Sequence, residues 1–500
     1  MIKDHVPEWA KKAVGYQCFV DSFAIGDIYI ENKNNLYDSN VYSEKAFTLN
    51  WNEKDENYHY GHGFYGGDLK GVAYALDHYL KDLDINLLYL TPIFKAATNH
   101  KYDIIDYEQI DPQFGKIEDF RELMRICKKN NVHLIMDGVF NHTSSEHKWY
   151  KKAVKGDERY RDFYKRNEEE YILLWEGVET LPELNHENEE VQNYFYKGND
   201  SIVKKWLREG ADGWRLDVAE RLGKKPINAI RRNIKEYNPE ALLIGEVVES
   251  YGKEWLADGL LDGVMNYVFR GITTNFLTGS INAKTYIEEL NKMYSEYPTE
   301  KLYASWNIIS THDTNRMLYD VHGNESTFKM AVILQFTYPG IPIIYYGDEL
   351  GMSYGKKEIS NRTGMDWDVA HYYRKNSENE NYNSNAMEWN RLNRYNSYHQ
   401  FYKHMIWLRK NIEVFSTGCF IPLYADDTVL SFARVIENET ALIIANNGPD
   451  KEISITIPEI VTTGKMQLKC LYGADNPLTI YPGTIEIYVG GANSYIYAHY

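Results

Sequence analysis

Residues 210–220 read GADGWRLDVAE. The run Gly213–Asp217 has the length and composition of a buried strand, and within it Arg215 and Asp217 stand two residues apart. Side chains alternate faces along a strand, so these two project to the same side. A guanidinium beside a carboxylate favours its ionised form, as a nucleophile at a sugar carbon requires. Outward from this segment, short apolar runs recur at Gly15–Val20, Leu87–Thr91, His133–Phe140, Leu242–Glu246, Gly263–Tyr267, Ala304–Ser310 and Pro342–Tyr346. With Gly213–Asp217 they make eight, separated by longer amphipathic stretches. Ile117–Asn130 (IEDFRELMRICKKN) is one of these, with Phe120, Leu123, Met124 and Cys127 on one helical face. Eight such units predict an α/β fold, a (β/α)8 barrel, whose functional groups sit at the C-terminal ends of the strands.

Several of those ends carry chemistry. LLIGEVVES places Glu246 at the end of the fifth run, and SWNIISTHDTNR places His312, Asp313 and Arg316 after the seventh. DGVFNHTS at the third contributes Asp137, Asn141 and His142. A retaining glycosidase needs a nucleophilic carboxylate and a second carboxyl about 5–5.5 Å away that acts first as acid and then as base. Asp217 and Glu246, on neighbouring strands, fit that requirement. An isolated Arg-x-Asp or His-Asp is more often a structural pair. Four such clusters, in order and each at a strand end, point to an active site.

Composition narrows the ligand. A formal charge of -17 repels phosphate backbones and anionic lipid surfaces, so neither nucleic acid nor membrane is an expected partner. The 43 tyrosines and 11 tryptophans suit a neutral polyhydroxylated ligand, although most will simply fill the core and surface. The four cysteines have no metal-ligand spacing and read as buried thiols. MIKDHVPEWAKKAV lacks the apolar centre of a signal peptide, which makes a cytoplasmic location the expectation. The segment 142–186 is long for a βα connection and predicts a lobe over the cleft. A polar insertion at Met352–Tyr398 should overhang the same face. Beyond Ile412 the alternating runs VLSFARVI, ALIIANN, EISITI, KMQLKCLY and EIYVG predict a β-sandwich. The expected division is barrel at 1–141 and 187–411, lobe at 142–186 and sandwich at 412–500.

These segments resemble the hallmarks of the α-amylase family of glycoside hydrolases. The family's DxxxNH matches Asp137–His142, its GxRxD matches Gly213–Asp217, its acid matches Glu246 and its HD matches His312 and Asp313. LPELN at Leu181–Asn185 resembles the family's lobe motif. The resemblance implies Asp217 as nucleophile, Glu246 as acid/base and Asp313 as stabiliser of the distorted sugar. It implies sugar contacts from His142 and His312, with Arg215 orienting the nucleophile. NHKYDIIDYEQIDPQFG resembles the second-strand loop, which would bring His100 to the same sugar and Tyr102 beneath it; Arg316 joins them as a candidate substrate contact.

Further motifs, including GFYGGDLKGV and YYGDELGM, are similar to those of the neopullulanase, cyclomaltodextrinase and maltogenic amylase group. That group usually has MPKLN and VANE where this chain has LPELN and VAER, and carries an N-terminal β-domain that builds its dimer. On this basis a monomer is expected. The resemblance requires no cofactor. It leaves calcium as an optional ion at Asp27, Gly66 and Asp68, although Ile25 and Ile30 replace oxygen donors. The implied substrate is an α-1,4-linked oligosaccharide or polysaccharide glucan. Two alternatives stand beside it: an enzyme with α-1,6, cyclodextrin or transglycosylation activity, and an amylase-like binding protein without catalysis. Survival of all three acids argues against the second.

Overall fold

The computed structural model describes residues 5–26, 47–48, 63–248, 252–353, 362, 365 and 397–500. Eight parallel strands close into a barrel: β1 (Gly15–Cys18), β2 (Leu87–Leu90), β3 (His133–Gly138), β4 (Gly213–Leu216), β5 (Leu242–Val247), β6 (Gly263–Asn266), β7 (Trp306–Ile308) and β8 (Ile341–Tyr345). Each pairs with its neighbours in sequence, and β1 closes against β8. Alternation along β4 sends Trp214 outward into the helix-facing core and Arg215 inward. The barrel interior is filled by Leu87, Tyr89, Ile135, Leu242, Ile244, Met265, Trp306, Ile308, Ile341 and Ile343. Val6, Ala10 and Ala13 of the N-terminal segment pack into the same cluster. The barrel is therefore a packed core, and polar side chains gather beyond its C-terminal end.

Two strand positions depend on close backbone approach. A Cβ at Gly213 would collide with the Leu242 carbonyl of β5, and one at Gly263 would lie 2.6 Å from the Ala304 carbonyl. Helix Ile117–Lys129 buries Phe120, Leu123, Met124 and Cys127 as expected, together with Ile126. The seventh strand is shorter than expected. Ala304 ends the helix Thr299–Ala304, whose Lys301 carbonyl takes the Ser305 hydroxyl at 2.8 Å, so the ladder starts only at Trp306.

The long connection from β3 to β4 carries helices Lys148–Ala153 and Glu158–Arg161 around buried Trp149, Phe163 and Tyr164. Bridges His142–Glu183 and Tyr164–Leu184 fold LPELN back onto the end of β3. Of the insertion 352–398, only Met352, Ser353, Arg362, Met365, Ser397 and Tyr398 lie among the described residues. The C-terminal region forms a six-stranded antiparallel sheet and a separate pair, Lys451–Ile457 with Gly483–Val489. Val429, Ala433, Leu442 and Ile444 of the sheet share one core with Ile453, Ile455, Ile485 and Val489 of the pair, which makes a sandwich. All four cysteines are free; Cys18 and Cys127 are buried, whereas Cys419 and Cys470 are only half-buried, a correction to the expectation for those two.

Candidate active site

Arg215 is the centre of the barrel mouth. Its side chain is wholly buried, and one guanidinium nitrogen, Nη1, lies 2.8 Å from Asp217 Oδ1 and 3.0 Å from both oxygens of Asp137. Nη2 lies 2.9 Å from Glu246 Oε1. Strands β3, β4 and β5 thus each deliver one carboxyl to a single cation, and the two acids singled out from the sequence are joined across it. The planar fork of arginine suits this task where the point charge of lysine would not.

Glu246 is held a second way. Val218, directly after the nucleophile candidate, has φ 39° and ψ 52°, a left-handed conformation that is an outlier for a β-branched residue. That turn aims its N–H at Glu246 Oε2, 2.8 Å away. Strain of this kind persists where the surroundings enforce it, commonly at functional sites.

The electrostatics follow from burial. Loss of water pushes Asp217 well above the usual carboxylate range, with Glu246 and Asp137 adding repulsion and Arg215 opposing. Burial also raises Glu246, against the pull of Arg215. Burial works against ionised Asp313 too, but the hydrogen bond from His312 Nε2 and the Arg362 guanidinium outweigh it and hold that carboxyl far below the usual range. One guanidinium shared by three buried carboxyls leaves Asp217 and Glu246 raised, whereas Asp313 is held low.

The remaining sugar-contact candidates converge on this centre. The Tyr102 hydroxyl lies 3.0 Å from Asp137 Oδ2 and 2.7 Å from His312 Nε2, its ring stacked on His312 with 4° between planes. His312 Nε2 is 2.9 Å from Asp313 Oδ2. His100 Nδ1 accepts the Tyr102 amide at 3.1 Å, and His142 Nε2 meets the Tyr102 carbonyl at 3.2 Å. Burial lowers His100 to about 3 and His142 to about 4, so both are neutral imidazoles near pH 7. The indole of Trp175 from the lobe packs 5.8 Å from the His142 ring.

Other placements differ from the sequence reading. Arg316 is fully buried, 2.8 Å from Asp348 and over the rings of Tyr345 and Tyr346. It supports the end of β8 and joins none of the carboxyls around Arg215 among the described contacts. Sequence reasoning missed Arg362, whose Nη2 donates to Asp313 Oδ1 at 3.0 Å and whose Nε donates to the His312 carbonyl at 3.0 Å. It also missed Gln17 of β1, whose amide lies 2.8 Å from His312 Nδ1. Nothing in the sequence around either announces its partner at the site; only the fold brings them there.

The calcium ligand set is not built by the described residues. Asp68 caps helix Leu69–Ala75, with Oδ1 accepting the Gly71 amide at 2.8 Å and both oxygens facing the Gly26 amide at 3.1 Å. Those oxygens thus serve the start of the helix and the Gly26 turn. The Gly66 amide likewise points at Asp21. Asp27 lies outside the described residues, and no group of three metal-ligating side chains occurs among those described.

Two buried carboxyls gripped by one cation, in a mouth lined with neutral imidazoles and a stacked tyrosine, are the arrangement a glycoside hydrolase requires. The α-amylase catalytic-domain model matches residues 17–418. The chain is 34% identical to neopullulanase 2 of Thermoactinomyces vulgaris over 483 residues, covering 94% of this chain and 75% of that protein. It is 32% identical to a cyclomaltodextrinase of Bacillus sp over 456 residues, covering 88% and 74%. The native-form structure of a debranching enzyme from Nostoc punctiforme superposes with a TM-score of 0.77 at 27% identity, covering 99% of both chains. The chain belongs to the α-amylase family. Among the described residues, no helix is long and apolar enough to cross a membrane.

Proposed function

We propose that this enzyme hydrolyses α-1,4-glucosidic bonds of maltodextrins and starch-derived oligosaccharides by double displacement. The observation that carries the reading is the joint grip of Arg215 on Asp217 and Glu246. Glu246 gives its proton to the glycosidic oxygen as the bond to C1 breaks, and Asp217 attacks C1 to form a glycosyl ester. Arg215 holds Oδ1 of Asp217, which leaves Oδ2 as the attacking atom. Glu246, now ionised, takes a proton from water, whose oxygen displaces Asp217 from C1. Asp313, kept ionised by its neighbours, is the acceptor for sugar hydroxyls. His100, His142 and His312 flank the same ring, and Tyr102 stacks beneath it.

Arg316 acts here as a support for the strand end through Asp348. We assign no calcium to Asp68, whose carboxylate caps a helix and faces the Gly26 and Gly71 amides. All the acids and their partners come from one chain, so a monomer suffices for chemistry. Light scattering tests that reading, and a stable dimer would oppose it.

The matches to a neopullulanase and a cyclomaltodextrinase support a second reading, with α-1,6 or cyclodextrin activity at the same site. Initial rates on amylose, cyclodextrin and maltotriose separate the two. Faster hydrolysis of the linear chains is expected; strong preference for cyclodextrin would transfer the assignment. No reducing sugar from any of the three would leave only a binding protein.

A further inference from the structure

We propose that Gln17 is a positioning residue that keeps His312 neutral and its proton on Nε2. Gln17 lies on β1, opposite in register to Tyr89 of β2 and Tyr345 of β8, with its side chain fully buried at the barrel mouth. Its amide nitrogen stands 2.8 Å from His312 Nδ1, and an amide NH2 can only donate. Nδ1 is then an acceptor, and a neutral imidazole must carry its hydrogen on Nε2.

The groups beyond Nε2 fit that order. Asp313 Oδ2, 2.9 Å from Nε2, needs a donor. The Tyr102 oxygen, 2.7 Å from Nε2, receives from the same N–H, while its own hydrogen goes to Asp137 Oδ2 at 3.0 Å. Asp137 also accepts from the Tyr89 hydroxyl at 2.6 Å and from Arg215. Every hydrogen in the run from Gln17 through His312 and Tyr102 to Asp137 points the same way. Reversing the Gln17 amide would put an acceptor on Nδ1. With Asp313 waiting at Nε2, the ring would take a second proton and become an imidazolium clamped onto that carboxylate. An imidazolium paired with Asp313 would leave that carboxylate a weaker acceptor for sugar hydroxyls.

A second observation argues that this contact is kept for chemistry. Among the described residues, Gln17 Oε1 is buried with no hydrogen-bond partner. An orphaned amide oxygen is unfavourable in a barrel core, where an apolar side chain would satisfy packing alone. The nitrogen end of the amide supplies the compensating role.

Among the described residues, the charged and titratable groups around the ring are Asp313 and Arg362, His100 and Tyr102, Asp137, Arg215 and Glu246. All are common to the wild-type enzyme and to a Gln17→Glu variant. The test uses full-length enzyme labelled with 15N in histidine alone. The His312 signals are identified among the 15 histidines by their loss in His312→Asn. In wild type at neutral pH, Nε2 should carry a proton and Nδ1 should not. In Gln17→Glu, a carboxylate facing Nδ1 should bring a proton to both nitrogens. The same change should lower kcat on maltotriose at least about tenfold, with a smaller effect on KM. A protonated Nδ1 in wild type would overturn the proposal even if the variant does not fold. So would a singly protonated His312 in folded Gln17→Glu. The kinetic arm rests on the glycosidase reading, whereas the proton count does not, so failure of one is distinguishable from failure of the other.

Discussion

Arg215→Met is the perturbation that most severely stresses the arrangement at the barrel mouth. The side chain is similar in length, but Asp137, Asp217 and Glu246 lose their shared cation. Removing one partner of a buried ion pair costs about 3–5 kcal/mol, because the remaining charge is left uncompensated. The carboxylates escape that cost by binding protons. Asp217 and Glu246 are already raised in the folded wild type, so their contribution to stability is full below the unfolded carboxylate pKa of about 4 and is lost as pH rises through the folded value. Taking away Arg215 moves that loss to higher pH. Each additional proton held by the folded variant changes the deficit by about 1.4 kcal/mol per pH unit. Between pH 7 and pH 5.5, one such proton recovers about 2 kcal/mol. Urea unfolding of wild type and variant at both pH values measures the difference directly. The variant should be about 3–5 kcal/mol weaker at pH 7 and markedly closer to wild type at pH 5.5. Hydrolysis should fall at least a hundredfold or so, since a protonated Asp217 cannot attack. A deficit independent of pH, or activity within about tenfold of wild type, would refute the reasoning.

Two further changes probe separate parts of the site. Glu246→Gln should reduce kcat/KM on maltotriose at least about a hundredfold. It should largely spare formation of the glycosyl-enzyme from α-glucosyl fluoride, whose leaving group needs no proton; equal losses on both substrates would remove the acid role. Gly213→Ala drives a methyl group into the Leu242 carbonyl where β4 meets β5. It should cost about 1–3 kcal/mol in urea unfolding, and an unchanged midpoint would show that the strands have room to part.

The strand order and the cluster of Arg215 with its carboxyls were legible because barrel strands advertise themselves twice, as apolar runs and as charged residues at their ends. Arg215, Asp217 and Glu246 needed only strand periodicity and the family's motifs to be found. Contacts made across the fold left no such trace. Gln17 is one glutamine in a short strand, and its meeting with His312 depends on β1 closing beside β8. Arg362 reaches Asp313 from an insertion whose polar composition announces no partner. Arg316 stands close in sequence to His312 and Asp313, which suggests a shared role. The chain instead turns it towards Asp348. The seventh strand is shorter than its apolar run predicts because Ala304 and Ser305 are as acceptable at a helix end as in a strand.

Covalent trapping tests the central claim most directly. Incubation with a fluorinated α-glucosyl fluoride that loads the enzyme quickly and turns over slowly, followed by proteolysis and peptide mass spectrometry, identifies the carboxyl that forms the ester. The account predicts a single hexosyl adduct on Asp217, in the peptide containing GWRLDVAE. An adduct on Glu246 or Asp313, or turnover with no covalent intermediate, would contradict it.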